Sequence, residues 1–260
     1  MERCPQQTIS LDCFAITTTE QSQGRGTSGR DWIGKRGNTF LTIAIPQQDI
    51  QIPITLLPLQ IGCILAQQVK SILNKDTSTN TNGTKTTDSL RNVVQLKWPN
   101  DVLINKKKVA GILIESERCI KGDYYFLVGI GVNWRYAPLI TQVGPQNGRE
   151  ATCIYDCIRK DGDDGRETLD GVEEARQLAS NVAQEICDWI KFQREMSEEN
   201  IIALGESIVR EWERSGDFSS RQIIRDSQEV VFPMALEKDG RLRVRGQDGR
   251  EKLLVSDYLL

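Results

Sequence analysis

The stretch GRGTSGRDW, residues 24–32, decides how this chain is interpreted. Gly24, Gly26 and Gly29 have the spacing of a dinucleotide-binding fingerprint. That fingerprint requires a helix to begin at the third glycine, so that its N-terminus meets a pyrophosphate. Here two more glycines follow within eight residues, and no apolar helical period begins. The context therefore argues against a Rossmann fold.

The same glycines favour a loop that clamps an anion. Glycine lets backbone N–H groups approach a ligand closely. Arg25 and Arg30 add forked donors that suit a carboxylate or a phosphate, and Trp32 offers a flat ring for stacking. Taken alone, the stretch is equally compatible with a solvated surface turn that carries two exposed arginines.

Composition limits the classes of function. The 260 residues suffice for one large domain, or for one domain with a small appendage. With 33 basic and 36 acidic residues, the net charge of −3 gives no sign of nucleic-acid binding. The absence of histidine excludes a histidine base and a Cys/His zinc site. Seven scattered cysteines without a CxxC pair favour a reduced intracellular chain, and no apolar run predicts a membrane span.

Apolar patterning predicts a mixture of strands and helices. The expected elements are strands at 11–19 and 38–46, a helix over 56–73, closely spaced antiparallel strands between 93 and 134, and helices over 172–194 and 198–214. The Thr/Asn/Ser-rich stretch 74–92 predicts a disordered insertion, and the polar stretch 160–171 predicts a loop. From about residue 226, short strands with turns at 238–240 and 247–249 predict a small β unit that must pack on the rest.

A second stretch, KWPND (97–101), joins a predicted strand to a turn that Pro99 fixes. Asn100 and Asp101 place an amide and a carboxylate there, and Asp101 could hold a metal ion or orient a donor. Lys108 begins the apolar strand KVAGILIE, where a lysine beside a phosphate would neutralise developing charge. A polar strand end and a surface lysine are the alternatives.

A third stretch, GIGVN (129–133), places two glycines on a strand, which marks close approach of a ligand to the backbone. In order, GRGxxGRxW, KWPND, KxAGIL(I/V)E and GxGxN resemble the biotin–protein ligases, also called holocarboxylase synthetases. ATCIYD (151–156) is similar to a later segment of that family. The resemblance implies an α+β fold: a mixed or antiparallel sheet flanked by helices over 1–222, then a small SH3-like β domain over 223–260.

The resemblance implies a two-step ligase reaction. The biotin carboxylate attacks the α-phosphate of ATP, which gives biotinyl-5′-AMP and pyrophosphate. A lysine amine on the biotin carboxyl-carrier domain of a carboxylase then attacks the mixed anhydride. Magnesium is the implied metal. The implied location is the cytoplasm, or an organelle if a transit peptide has been lost, and a homodimer is an open alternative.

The resemblance also implies roles for individual residues. Lys108, Arg25 and Asp101 are expected to be catalytic, with Asp101 as the metal ligand. Trp32 is expected against the adenine. The residues expected to bind biotin, ATP or the adenylate are Gln21, Arg25, Gly26, Thr27, Arg30, Trp32, Asn100, Lys108, Gly111, Ile112, Gly131 and Asn133.

Two departures from the family pattern matter. Thr27 stands where the family often has arginine, which removes one cation from the adenylate clamp. The family's Ser-Thr pair, at the start of a helix upstream of the residue that matches Gln21, has no counterpart, so the first strand and helix are expected to be missing. A winged helix is also missing, so no DNA binding is expected. The alternatives are a truncated, non-catalytic biotin- or acceptor-binding module and a lipoate or octanoyl transferase.

Overall fold

The structure is a computed structural model that describes residues 13–77, 92–120, 122–140, 149–158, 171–218, 221–224 and 227–255. Most of the predicted insertion at 74–92 and of the predicted loop at 160–171 lies outside this part. The strands are β1 (Phe14–Thr18), β2 (Gln21–Arg25), β3 (Asp31–Gly34), β4 (Thr39–Pro46), β5 (Val94–Lys97), β6 (Asp101–Ile104), β7 (Lys107–Arg118), β8 (Tyr124–Val132), β9 (Gln222–Ile223), β10 (Val230–Leu236), β11 (Leu242–Gly246) and β12 (Glu251–Leu254). The helices are α1 (Leu57–Thr77), α2 (Ile154–Ile158), α3 (Val172–Arg194) and α4 (Glu198–Ser215).

A six-stranded antiparallel sheet forms the centre of the molecule, in the order β1-β4-β8-β7-β6-β5. Side chains alternate between its two faces. On one face Ile43, Val128 and Ile112 belong to the hydrophobic core, against which α1 and α3 pack. The other face carries Thr42, Gly129 and their neighbours. The predicted α+β class is confirmed, and the packed helices leave this second face available for a ligand.

Helix α1 is the central core helix. It begins at Leu57 and continues to Thr77, so its last turn enters the stretch that we predicted to be a disordered insertion. The apolar period ends near Leu73, but the backbone hydrogen bonding of a helix does not require apolar side chains to continue. By length and composition Ile54–Asn74 could cross a membrane, yet 61% of that window is buried inside the protein. Its apolar character is therefore explained by the core.

A second antiparallel sheet, in the order β12-β11-β10-β9, forms the C-terminal unit. Both predicted turns are present, with glycines in the left-handed region at Gly240 (φ 83°) and Gly249 (φ 80°). Strand β9 begins at Gln222, one residue before the predicted domain boundary, and the division at 222/223 stays a prediction. The C-terminal unit contacts the segment that follows β5 of the central sheet, where Trp98 Nε1 donates a hydrogen bond to the Gly240 carbonyl over 3.0 Å.

One covalent feature differs from the expectation of a chain without disulfides. Cys13, just before β1, is paired with Cys187 of α3, with a Cα–Cα distance of 6.5 Å. The two cysteines are 174 residues apart in the sequence, so no spacing rule could have linked them.

Candidate functional site

A pocket of about 220 Å³ lies on the face of the central sheet opposite α1. Strands β7 and β8 form its floor, and the loop that follows β2 forms one wall. The pocket brings together most of the residues expected to bind ligands: Gln21, Arg25, Gly26, Thr27, Trp32, Asn100, Gly111, Ile112 and Gly131. Arg30, Lys108, Asp101 and Asn133 are not part of its lining.

The glycine-rich stretch forms a hairpin and not the start of a long helix. Gly24 pairs with Trp32 across β2 and β3, and a single 3-10 turn at Thr27–Gly29 connects the strands. A Cβ on Gly24 would lie 2.4 Å from the Trp32 carbonyl oxygen, so the hairpin requires glycine there. This geometry agrees with an anion-clamping loop and excludes the dinucleotide-binding fingerprint.

The indole of Trp32 rests on a ledge made of two glycines. Gly111 and Gly131 are direct partners in the β7–β8 register. A Cβ on Gly131 would lie 2.5 Å from the indole, and one on Gly111 would lie 3.1 Å from it. Among the described residues, the buried Trp32 Nε1 has no hydrogen-bond partner. The absence of a side chain at both glycines therefore leaves the space that the indole ring occupies.

Lys108 lies at the edge of the pocket, between the ring of Trp32 and the carboxylate of Asp101. Its Nζ is 2.6 Å from Asp101 Oδ1 and 5.4 Å from the centroid of the indole. Burial alone would raise the pKa of Asp101, but the charges of Lys108 and Lys97 outweigh this and hold the pKa below its ordinary value. Asp101 is therefore a buried, charged carboxylate.

Lys97, Asp101 and Lys108 form a charged cluster, and the sequence analysis did not single out Lys97 as a member of it. It is the last residue of β5 and pairs with Asp101, the first residue of β6. Burial lowers the pKa of Lys97 to about 7; the charge of Asp101 opposes this shift, whereas Arg149, Lys108 and Arg30 add to it. The signal was present in the first letter of KWPND, but a lysine at a strand end is usually on the surface.

Asn100 holds the hairpin of β5 and β6 against β7. The side-chain Nδ2 of Asn100 donates to the Ile112 carbonyl over 2.7 Å. The backbone carbonyl of Asn100 accepts from the Ile112 N–H over 3.0 Å. This double contact fixes the backbone of Ile112, which lines the pocket. Through these bonds, Asn100 sets the shape of the pocket floor.

The two loop arginines have different surroundings. Arg25 Nη2 is 2.9 Å from Glu115 Oε2, and both residues line the pocket. Arg30 donates to the carbonyl and to the hydroxyl of Thr27, over 3.3 and 3.1 Å, and so braces the loop. Glu115 was quoted in the strand KVAGILIE, but nothing in the sequence marked it as a partner for Arg25.

Asn133 lies outside the pocket. It is buried, and its Nδ2 donates to the Thr152 carbonyl over 3.1 Å. Its backbone N–H donates to the Val109 carbonyl, and its carbonyl accepts from the Ile154 N–H. In this structure Asn133 fastens the 151–154 segment to the sheet, and a contact with the nucleotide stays a prediction.

The described residues contain no group of three acidic, cysteine or histidine side chains that could hold a metal ion. Asp101 faces lysines and not other carboxylates. A resident divalent cation held by the protein alone therefore does not fit this cluster.

Comparison with known proteins agrees with this geometry. Residues 11–133 match the biotin/lipoate A/B protein ligase family. A biotin–[acetyl-CoA-carboxylase] ligase from Paracoccus denitrificans is 35% identical over 130 residues, which are 50% of this chain and 48% of that protein. A bifunctional ligase/repressor from Bacillus subtilis is 29% identical over 47% of this chain and 33% of its own length. The matched stretch spans about half the length of these relatives, or less.

Solved structures extend the likeness beyond that stretch. The biotin protein ligase of Leishmania major, in complex with biotinyl-5-AMP, is 29% identical with a TM-score of 0.56. The match covers 94% of this chain and 88% of that one. The biotin protein ligase of Aquifex aeolicus, in complex with biotin and ATP, shares the fold, with 20% identity, a TM-score of 0.59, and coverage of 95% and 87%.

Proposed function

Because residues 11–133 match the biotin/lipoate A/B protein ligase family, we propose that this chain is an ATP-dependent biotin–protein ligase. It joins biotin to AMP and then transfers biotin to a lysine on the biotin carboxyl-carrier domain of a carboxylase. The observation that carries the proposal is the position of Lys108. This lysine stands at the pocket edge, held between Asp101 and the ring of Trp32.

That position suits the first step. The carboxylate of biotin and the phosphates of ATP are all anionic, so their approach must be offset by cations. Lys108 supplies a cation beside the seat of the nucleotide, and Arg25 supplies a second at the pocket rim. The carboxylate oxygen attacks the α-phosphorus, pyrophosphate leaves, and no side chain has to accept a proton. A site without histidine is sufficient for this reaction.

The rest of the pocket positions the reactants. Gln21, Gly111 and Ile112 line the part that we assign to biotin, where backbone groups lie close enough to bond a polar ring. Trp32, seated on Gly111 and Gly131, offers its ring to the adenine. Positioning and exclusion of water lower the barrier to each transfer.

Magnesium enters this proposal with ATP and not as a resident ion. Asp101 is already paired with Lys108, and the described acidic residues form no metal cluster. Magnesium commonly binds through substrate phosphates with few protein ligands, so a magnesium–ATP complex is the expected substrate. Asp101 as a metal ligand stays a prediction.

Biotin-dependent exchange between ATP and pyrophosphate tests the proposal. We expect exchange by the wild-type chain with magnesium, and none by Lys108→Ala. Lys107→Ala is the matched control, because Lys107 is the adjacent residue, is 52% exposed and pairs with Glu150. A folded wild-type chain without exchange would favour the binding-module alternative. Exchange with lipoate but not with biotin would place the chain in the lipoate branch.

Transfer to an acceptor is a separate measurement. Incubation with biotin, ATP and a purified biotin carboxyl-carrier domain should add one biotin to the domain, detected by mass spectrometry. Cytoplasmic location, the absence of DNA binding and the alternative of a homodimer stay predictions. The homodimer alternative can be tested by substituting Phe14 and Ile16, which are exposed on the edge strand β1.

A further inference from the structure

The charges of two lysines act on one buried carboxylate in this site. Lys108 Nζ is 2.6 Å from Asp101 Oδ1, and Lys97 is the register partner of Asp101 across the β5–β6 hairpin. Lys97 and Asp101 are only 4% and 3% exposed, respectively. Charges buried this deeply need a partner of opposite sign, because neither retains its hydration.

The two lysines differ in their access to the pocket. Lys108 is 17% exposed, and its Cε and Nζ lie over Gly111 on the side of Trp32. Lys97 lies on the inner side, where it lines a small cavity with Trp98 and Asp217 at the junction with the C-terminal sheet. Lys108 can therefore turn to an anion in the pocket, whereas the buried Lys97 has no such access.

If Lys108 transfers its contact to an incoming anion, Asp101 loses its closest cation while it is still buried. An unpaired buried carboxylate is strongly unfavourable unless a second cation is present. The charge of Lys97 already acts on Asp101, second to that of Lys108 among the charged groups.

We propose that Lys97 is a positioning residue, which holds the Asp101 carboxylate in place while Lys108 leaves it for the anionic substrates. This inference rests on the proposed ligase function. Lys97 itself does not touch the reacting atoms; it acts through Asp101 on Lys108. Its loss should therefore slow the adenylation step more than it weakens the binding of ATP or biotin.

The kinetic test compares Lys97→Met, Lys97→Arg and Lys191→Met in biotin-dependent ATP–pyrophosphate exchange at about pH 6, where Lys97 is charged because its pKa is lowered only to about 7. We expect Lys97→Met to lower kcat by about tenfold or more, with each KM changed by less than about threefold. Lys97→Arg keeps the charge and should recover much of the loss. Lys191, exposed in the last turn of α3, is the matched control and should change neither constant. A Lys97→Met variant with the wild-type kcat would overturn the proposal.

A purely structural role for Lys97 would involve the junction with the C-terminal sheet. Asp217 is buried there, and its N–H donates to the Leu96 carbonyl over 2.8 Å. Double-mutant cycles separate the two roles. The effects of Lys97→Met and Asp101→Asn on kcat should be strongly non-additive, and more so than those of Lys97→Met and Asp217→Asn, which share a small cavity away from Lys108. The opposite pattern would assign Lys97 to the junction.

A measurement without catalysis separates this proposal from the proposed function. The same variants are compared by their midpoints of urea unfolding. Non-additive shifts for Lys97→Met with Asp101→Asn would show the pairing even in a chain without exchange activity. Additive shifts would overturn the pairing even in an active enzyme. Absence of exchange in the wild type, with coupled midpoints, would count against the ligase function alone.

Discussion

The indole Nε1 of Trp98, inside the KWPND stretch, donates a hydrogen bond to the carbonyl of Gly240, in the turn between β10 and β11. Trp98 is 3% exposed, and the bond is 3.0 Å long. Two and three residues further along the chain, Asn100 shapes the pocket floor and Asp101 pairs with Lys108. The C-terminal sheet is therefore fastened to the same hairpin that carries the charged cluster.

The first prediction concerns this bond. Trp98→Phe keeps an aromatic ring but leaves the Gly240 carbonyl without its donor, so the free energy of unfolding should fall by about 1–3 kcal/mol. Urea unfolding measures this change. Trp189→Phe is the control, because the buried Trp189 Nε1 has no hydrogen-bond partner among the described residues and its removal should cost less. Equal losses in the two variants would contradict the prediction.

The second prediction concerns the seat of Trp32. Gly131→Ala places a methyl group 2.5 Å from the indole, so the ring must move away from the ledge. We expect loss of ATP–pyrophosphate exchange and a change in tryptophan fluorescence. In a Trp32→Ala background the same substitution meets no ring and should be far less destabilising in urea. An equal cost in both backgrounds would show that the clash lies elsewhere.

The third prediction concerns the ion pair of Arg25 and Glu115. Arg25 is 71% exposed at its side chain, so the pair should contribute less than about 1 kcal/mol to stability. Glu115→Gln should leave the thermal midpoint unchanged but lower the KM for ATP, because Arg25 is no longer shared with a carboxylate. The exposed pair of Arg245 and Glu251 is the control, and Glu251→Gln should alter neither quantity. A raised KM in Glu115→Gln would contradict this view.

The fourth prediction concerns pH. The pKa of Lys97 is lowered to about 7 in the folded chain, against an ordinary value of 10.5. Between these values the unfolded chain binds the additional proton, so this lysine makes the free energy of unfolding rise with pH across that window. Subtracting the curve of Lys97→Met from that of the wild type isolates the effect. A difference that is flat from pH 7 to 10 would contradict the lowered pKa.

Lys191→Met provides the control for the pH series. Lys191 is exposed in the last turn of α3, so its substitution should give a curve parallel to that of the wild type. Below about pH 7 both lysines are charged in the folded and unfolded states. The difference in unfolding free energy between the wild type and each variant should therefore no longer change with pH there.

Local chemistry made much of the fold predictable. The predicted helix at 172–194 coincides with α3, and the glycines at 240 and 249 occupy the turns that their sequence indicated. The strands of residues 93–134 pair antiparallel, as their short connections implied. Apolar periodicity and turn chemistry act within a few residues, so a single sequence records them directly.

The sequence by itself carried the resemblance of the glycine loop, KWPND and the strand glycines to a ligase family, which implied that they share one site, and residues of all three stretches line one pocket. Tertiary structure alone decided the partners of those residues. It paired Arg25 with Glu115, seated Trp32 on Gly131, and set Lys97 beside Asp101. It also turned Asn133 away from the pocket. Such contacts depend on strand register and on burial, which residues distant in the chain create together and no local pattern encodes.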